Sequence, residues 1–248
     1  MLEQFSRTEL LIGKVGIEKL QKSKVAIFGI GGVGSFAVEG LARAGIGNFI
    51  LIDNDTVSIT NLNRQIIATT KTIGRPKVEI AKERILDINP LAKIEIYQEF
   101  FDSNNKIILN KENKLDYIVD AIDTVSSKIE LITSAYKLKI PIISCMGTGN
   151  KLDPTKFEVT DIYKTNTCPL AKIIRKKLKE LNIERLKVVC STEKPISREK
   201  NIEENINKTI SIDKNEQYNK KVIGSVSFVP SVAGLIVAGE VIKDIIKE

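Results

Sequence analysis

Apolar positions along the chain fall into two alternating rhythms. Short runs of strand length, Val25–Phe28 and Phe49–Ile52, bracket a stretch with helical spacing, and the same alternation recurs downstream. Before it, residues 7–20 read as a helix whose approximate apolar stripe is Leu10, Leu11, Val15, Ile17 and Leu20. Residues 54–74 are polar and irregular, longer than a plain connection, and loops of that length in compact domains are often functional. A helix is predicted over 75–89 with Pro76 near its first position, then a strand over Lys93–Gln98 and a short helical piece over Lys106–Asn110. Asp116–Ala121 reads as a strand, 126–139 as a helix and Pro141–Cys145 as a buried strand. Alternation of this kind predicts an α/β fold, a Rossmann-like, doubly wound and mainly parallel sheet with an N-terminal helix and a C-terminal extension.

After Gly149 the character changes. Phe157–Asp161 is compatible with a strand, 169–181 with a helix, and Val188–Cys190 is a short apolar end. Residues 192–221 are rich in Glu, Lys and Asn and are predicted to be a mobile loop. The stretch 229–247 reads as a buried helix, since Val232, Leu235, Ile236, Gly239, Val241 and Ile242 cover most of its circumference. A chain of 248 residues fits one larger domain, with a core over about 20–150 and a C-terminal part over 151–248.

The first strand–helix–strand unit carries chemistry. Gly29, Gly31 and Gly34 have the spacing G-x-G-x-x-G between strand and helix, and Asp53 ends the second strand nineteen residues past Gly34. Glycine lets the backbone turn tightly and approach a phosphate, and the helix N-terminus offers free N–H groups. Asp53 can accept from ribose hydroxyls. This predicts nucleotide binding; the competing reading is that the glycines only permit a tight turn.

Further candidates lie on the loops that follow. Lys77 sits in the first turn of a helix, where the macrodipole disfavours a cation, so a bound anion or a lysine bent toward water would account for it. Arg64 and Asn61, within the polar loop, offer donors suited to phosphate oxygens. Asp120 and Asp123 end a strand, where open α/β sheets bind ligands, so Asp123 either holds magnesium or caps the next helix. Segment 164–187 holds eight basic residues against two acidic ones. On its helix, Lys172, Arg175, Lys176 and Lys179 share one face, and Leu170, Ile173, Ile174, Leu178 and Leu181 the other. A nucleic-acid backbone, plain solvation or a membrane surface could each explain that cationic face.

Composition narrows the chemistry. There is no histidine, which removes Ser-His-Asp and Cys-His catalysis and histidine-bearing zinc motifs. The three cysteines, Cys145, Cys168 and Cys190, form no C-x-x-C pair and are too few for a four-thiolate zinc site. A net charge of +7 suits a polyanionic partner. The longest near-apolar run, Phe228–Gly239, is too short to span a bilayer, and MLEQFSRTEL lacks signal-peptide character, so a cytoplasmic location is expected.

Taken together, GIGGVGS at 29–35, LIDNDTV at 51–57, NLNRQ at 61–65, IGRPK at 73–77 and DAIDT at 120–124 resemble the ATP-dependent ThiF, MoeB and ubiquitin-activating superfamily in order and spacing. The resemblance implies a single adenylation domain over 1–248, using ATP and Mg2+. It implies nucleotide contacts from Gly29, Gly31, Gly32, Gly34, Asp53 and Asp55, triphosphate contacts from Asn61, Arg64 and Lys77, and magnesium at Asp123. It also implies a homodimer in which Arg7, in FSRTELLIG, reaches the partner's nucleotide.

Within that superfamily FSRTELLIGKVGIEKL, KT…PLAKIIRKKLK and the ending GSVSFVPSVAGLIVAGEVIKDII are similar to the tRNA threonylcarbamoyladenosine dehydratases. That implies ATP-dependent cyclisation of the modified adenosine next to the tRNA anticodon, with tRNA as partner and Lys172, Arg175, Lys176 and Lys179 as its contacts. The chain departs from the expected pattern at Cys168, where aspartate is expected, and at Cys190, where an aromatic residue is expected. Cys190 lies near the loop where activating enzymes keep an acceptor cysteine. An adenylyltransferase for the Gly-Gly end of a sulfur-carrier protein is therefore the alternative, and a sulfur-transfer protein is left open as a partner. The lack of paired C-x-x-C motifs speaks against it. An NAD(H) oxidoreductase or a non-catalytic nucleotide-binding module is a third reading, in which NLNRQ and IGRPK have no task.

Overall fold

The computed structural model describes residues 3–102, 109, 114–197 and 223–247. Seven strands form one sheet: β1 (Lys24–Phe28), β2 (Asn48–Ile52), β3 (Lys93–Tyr97), β4 (Tyr117–Asp120), β5 (Ile142–Cys145), β6 (Phe157–Asp161) and β7 (Lys187–Ser191). Their spatial order is β3-β2-β1-β4-β5-β7-β6. Every pairing is parallel except β6 on β7, which closes one edge antiparallel with Phe157 opposite Ser191. The helices are α1 (Ser6–Lys22), α2 (Gly34–Ala44), α3 (Lys77–Ile88), α4 (Val125–Leu138), α5 (Pro169–Glu180) and α6 (Phe228–Lys247). The doubly wound, mainly parallel sheet expected from the sequence is thus present.

Strand periodicity explains the two-sided core. Val25 and Ile27 of β1 join Phe49, Leu51 and Val119 on one face, where α2, α3 and α6 pack. Ala26 and Phe28 join Ile50, Ile52 and Ile118 on the other, against Leu131 and Ala135 of α4. A third cluster, with Ile174 and Leu178 of α5 and Val188 and Cys190 of β7, fills the C-terminal side. Strands buried on both faces read as continuous apolar runs, which is how β1, β2 and β5 look in sequence.

Four expectations need correction. Leu10 and Leu11 are 87% exposed, and the buried residues of α1 are Gly16, Ile17 and Leu20. Gly13 breaks the helix at φ 73°, ψ 168°, so the turns before it lose the rotational phase of those after it. The apolar end at Val188–Cys190 is the middle of a strand inserted between β5 and β6. On α5, Ile173 and Leu181 are 48% exposed and the buried face is Ala171, Ile174 and Leu178. On α6, Leu235 is exposed and Ala233, Gly234, Val237 and Ala238 are buried. Small residues face α2 because the two backbones approach closely: a Cβ on Gly40 would stand 2.7 Å from Ala238 Cβ. The helical piece over Lys106–Asn110, apart from Leu109, and most of the loop over 192–221 lie outside the described residues. Among the described residues no helix is long and apolar enough to cross a membrane.

Candidate nucleotide site

Strand order reverses between β1 and β4, and a cleft of about 490 Å³ opens at the carboxyl ends of these strands. Gly29, Gly31, Gly32, Asp53, Asp55, Asn61, Arg64, Lys77 and Asp123 all line it. Gly34 stands just behind, as the first residue of α2, and Arg7 lies elsewhere, exposed on the first turn of α1.

The glycine loop forms for steric reasons. Gly29 adopts φ +87°, and a Cβ there would lie 2.7 Å from the Ala121 carbonyl oxygen. A Cβ on Gly34 would lie 1.7 Å from the Gly29 oxygen, whereas one on Gly31 would meet only Gln65 Nε2 at 3.9 Å. Two glycines therefore shape the turn, and Gly31 faces open space at the N-terminus of α2.

Asp53 ties this loop to β2. Its Oδ2 accepts from Ile30 N at 2.5 Å and its Oδ1 from Asp55 N at 2.8 Å. Burial raises its pKa, with the Lys77 charge working against that shift. Lys77 is 4% exposed and its Nζ stands 2.6 Å from Asp55 Oδ2, so it is not bent into solvent. Pro76 is the residue before α3 and Lys77 the first within it. The 54–74 segment is packed rather than loose: Val57 and Ile67 are buried, and Thr56 bridges Pro76. Asn61 accepts from Ser58 N through Oδ1 at 3.1 Å, leaving its amide N–H groups as donors. Arg64 donates from Nη1 to Thr60 O and Asn63 Oδ1, both at 3.0 Å. Burial lowers its pKa and Asp123 offsets this. Asp123 is exposed and does not cap α4, which starts after Thr124 without a side-chain cap. Asp120 is fully buried below the cleft floor, paired with Lys128.

The ThiF family pattern matches residues 5–248. The chain belongs to the ThiF family. The tRNA threonylcarbamoyladenosine dehydratase of Bacillus subtilis is 46% identical over 259 residues, covering 100% of this chain and 96% of that one. A crystal structure of the Escherichia coli tRNA N6-threonylcarbamoyladenosine dehydratase in complex with ATP matches with a TM-score of 0.84 at 30% identity, covering 99% and 94%. The Escherichia coli sulfur carrier protein ThiS adenylyltransferase is 33% identical over 153 residues, 60% of each chain.

Parts of this ThiF-family cleft receive no site role from the sequence. Phe100 and Phe101 after β3, Leu170 at the start of α5, and Ile223, Ser225 and Pro230 around the start of α6 all line it. Ser225 O accepts from Asn63 Nδ2 at 3.0 Å. Ser127 Oγ and Gln65 Oε1 are buried there without a hydrogen-bond partner, a state that a bound polar ligand would relieve. Leu170, Ser225 and Pro230 lie in stretches similar to the dehydratases, but that they meet the glycine loop in one cleft is decided only by long-range folding.

The cysteines sit at or under the floor. Cys145 lines the cleft, and burial pushes its thiol up to about 12. Cys168 and Cys190 are buried, and Cys190 Sγ donates to Ser191 O at 3.8 Å. The neighbouring Cys190 thiol lowers the Cys168 thiol pKa against its burial, helped by backbone N–H groups of Ala171, Gly147 and Leu170. The Cys168 sulfur beside it, with burial, pushes Cys190 up. An acyl acceptor needs an accessible thiolate, and Cys190 is 5% exposed with its proton held.

Proposed function

We propose that this protein is an ATP-dependent tRNA threonylcarbamoyladenosine dehydratase built as a single adenylation domain. The observation that carries the reading is the full-length 46% identity to the Bacillus subtilis enzyme, together with adenylation motifs that converge on one cleft. In the reaction the threonyl carboxylate attacks the α-phosphate of ATP and pyrophosphate leaves. A nucleophile of the same modified base then closes the ring and expels AMP, so the nucleoside loses one water overall.

In this reading Asp53 accepts from the ribose, and Gly31, Gly32 and the α2 N-terminus receive phosphate oxygens. Asn61, Arg64 and Lys77 neutralise and orient the triphosphate, and Asp55 holds Lys77 in place. With no histidine in the chain, the site works by placing charge where it develops. Mg2+ fits the donor set in one way. Among the described residues no three acidic, cysteine or histidine side chains cluster, so an all-protein cage is lacking. Asp123 as a lone carboxylate suits an ion that arrives with phosphates.

Mass spectrometry of nucleosides from threonylcarbamoylated tRNA, incubated with protein, ATP and magnesium, tests the proposal. The expected result is an ATP-dependent loss of one water from the modified adenosine, absent with Asp123→Ala and Lys77→Ala. An unchanged nucleoside, with pyrophosphate exchange only on adding a Gly-Gly-ended protein, would sink it.

The tRNA surface is proposed on α5. Leu170 lines the cleft, and Lys172, Lys176 and Lys179 are exposed from there outward. Arg175 is held back: its Nη1 donates to Thr165 O and Thr165 Oγ1, both at 2.6 Å. Replacing the three lysines by Gln should weaken tRNA binding and flatten the slope of log K against log salt by roughly 2–3. A wild-type slope rejects this surface.

A homodimer accounts for the exposed face of α1. Leu10, Leu11 and Val15 are 87%, 87% and 68% exposed, close in sequence to Arg7. Burying each against a second copy is worth roughly 1.5–3 kcal/mol. Sedimentation velocity should give a dimer that Leu10→Asp with Leu11→Asp converts to monomer. A monomeric wild type ends the proposal.

A further inference from the structure

We propose that Lys128 is a positioning residue for Asp123: with Asp120 it clamps both backbone polar groups of Ile122, and so fixes the short segment that delivers the Asp123 carboxylate to the cleft. This rests on the reading of Asp123 above and names what holds that group still.

Four residues, Ala121–Thr124, join β4 to α4. Asp123 itself is exposed, its carboxylate bonded through Oδ1 to Thr124 Oγ1 at 3.3 Å, and the N-cap Thr124 makes no side-chain cap. Order comes from beneath. Lys128 and Asp120 have fully buried side chains, with Nζ 2.9 Å from Oδ2. The same Nζ donates to Ile122 O at 2.9 Å. Asp120 Oδ1 accepts from Ile122 N at 3.1 Å, and its Oδ2 accepts from Ser144 Oγ at 2.6 Å. Ile122 O belongs to the peptide linkage that leads into Asp123, so the clamp acts one bond away from the residue it orients.

Stability does not explain the pair. Two charges have been taken wholly out of water, and apolar side chains of similar volume commonly pack in such places at equal or lower cost. Lys128 also stands near the N-terminal end of α4, where the helix dipole opposes a cation. An apolar side chain could fill the space but could not donate to the Ile122 carbonyl. The ammonium, anchored by Asp120, supplies that donor on an element rigid enough to fix the loop.

The test is calorimetric titration of ATP, with excess magnesium and with chelator, into wild type, Lys128→Met, the charge-neutral double variant Asp120→Asn/Lys128→Met, and Asp123→Ala, with thermal unfolding of each. The reading is the gain in ATP affinity that magnesium provides. Lys128→Met should lower that gain by about tenfold while metal-free ATP binding stays within about twofold, as loss of an outer-shell support typically does. It should also lower the melting temperature by leaving the Asp120 carboxylate buried without a counter-charge. The double variant should recover the melting temperature but not the magnesium gain. Full magnesium gain in Lys128→Met, or its recovery with stability in the double variant, overturns the positioning role. If Asp123→Ala keeps the gain, the assignment of Asp123 falls and takes the positioning role with it. If Asp123→Ala loses the gain and Lys128→Met does not, only the positioning role falls.

Discussion

Lys77→Ala should lower the ATP-dependent dehydration rate by about 10²–10³-fold, the scale seen when one preorganised charge-stabilising donor is removed from an active site. The ammonium is almost fully buried at the first residue of α3 and held 2.6 Å from Asp55. A cation there is opposed by both desolvation and the helix dipole, and the polyphosphate of ATP would offset both. Stability should change far less, by about 1 kcal/mol or under, because Asp55 is 56% exposed and water can replace its partner. A purely structural ion pair predicts the opposite: a loss of melting temperature and little loss of rate. Single-turnover rates and thermal unfolding on the same preparation separate the two. A rate within threefold of wild type at saturating ATP would remove Lys77 from the machinery.

Gly34→Ala should abolish ATP binding by about 100-fold or more and cost several kcal/mol of stability. The added methyl would sit 1.7 Å from the Gly29 carbonyl oxygen, a backbone atom that no rotamer change can move. Either the loop or the first turn of α2 must shift, and both carry the N–H groups that face the cleft. Gly31→Ala is the matched control. Its methyl would meet only Gln65 Nε2 at 3.9 Å, so the fold should stay at wild-type stability. Weaker ATP binding by Gly31→Ala at unchanged melting temperature would show that Gly31 is required by the ligand, as Gly34 is by the chain. Unchanged stability of Gly34→Ala would contradict the clash.

Much of the site was legible because its residues fall in short motifs at the ends of strands. Gly29, Gly31, Asp53, Lys77 and Asp123 stand close to a strand end or helix start that periodicity already locates, Asn61 and Arg64 fall in the NLNRQ motif of the polar loop, and all line one cleft. Asp120 and Asp123 both stand at the carboxyl end of a strand in sequence, yet β4 stops at Asp120, which is buried, while Asp123, three residues on, is exposed. Arg175 looked equivalent to its lysine neighbours on α5, yet Thr165 lies close enough to take its guanidinium. Spacing along a helix sets which side chains share a face, but it does not show what stands opposite them.

The sequence by itself determined the alternation of strands and helices, the parallel sheet and the nucleotide motif, because these follow from local periodicity, glycine sterics and helix termini. Only the tertiary structure decided that β7 inserts between β5 and β6, that α6 turns its small residues inward, and that Lys128 lies under the Asp123 loop. These arrangements depend on pairing and packing between segments far apart in the chain. Their energies come from shape and from buried polar partners, and neither is written in the spacing of neighbouring residues.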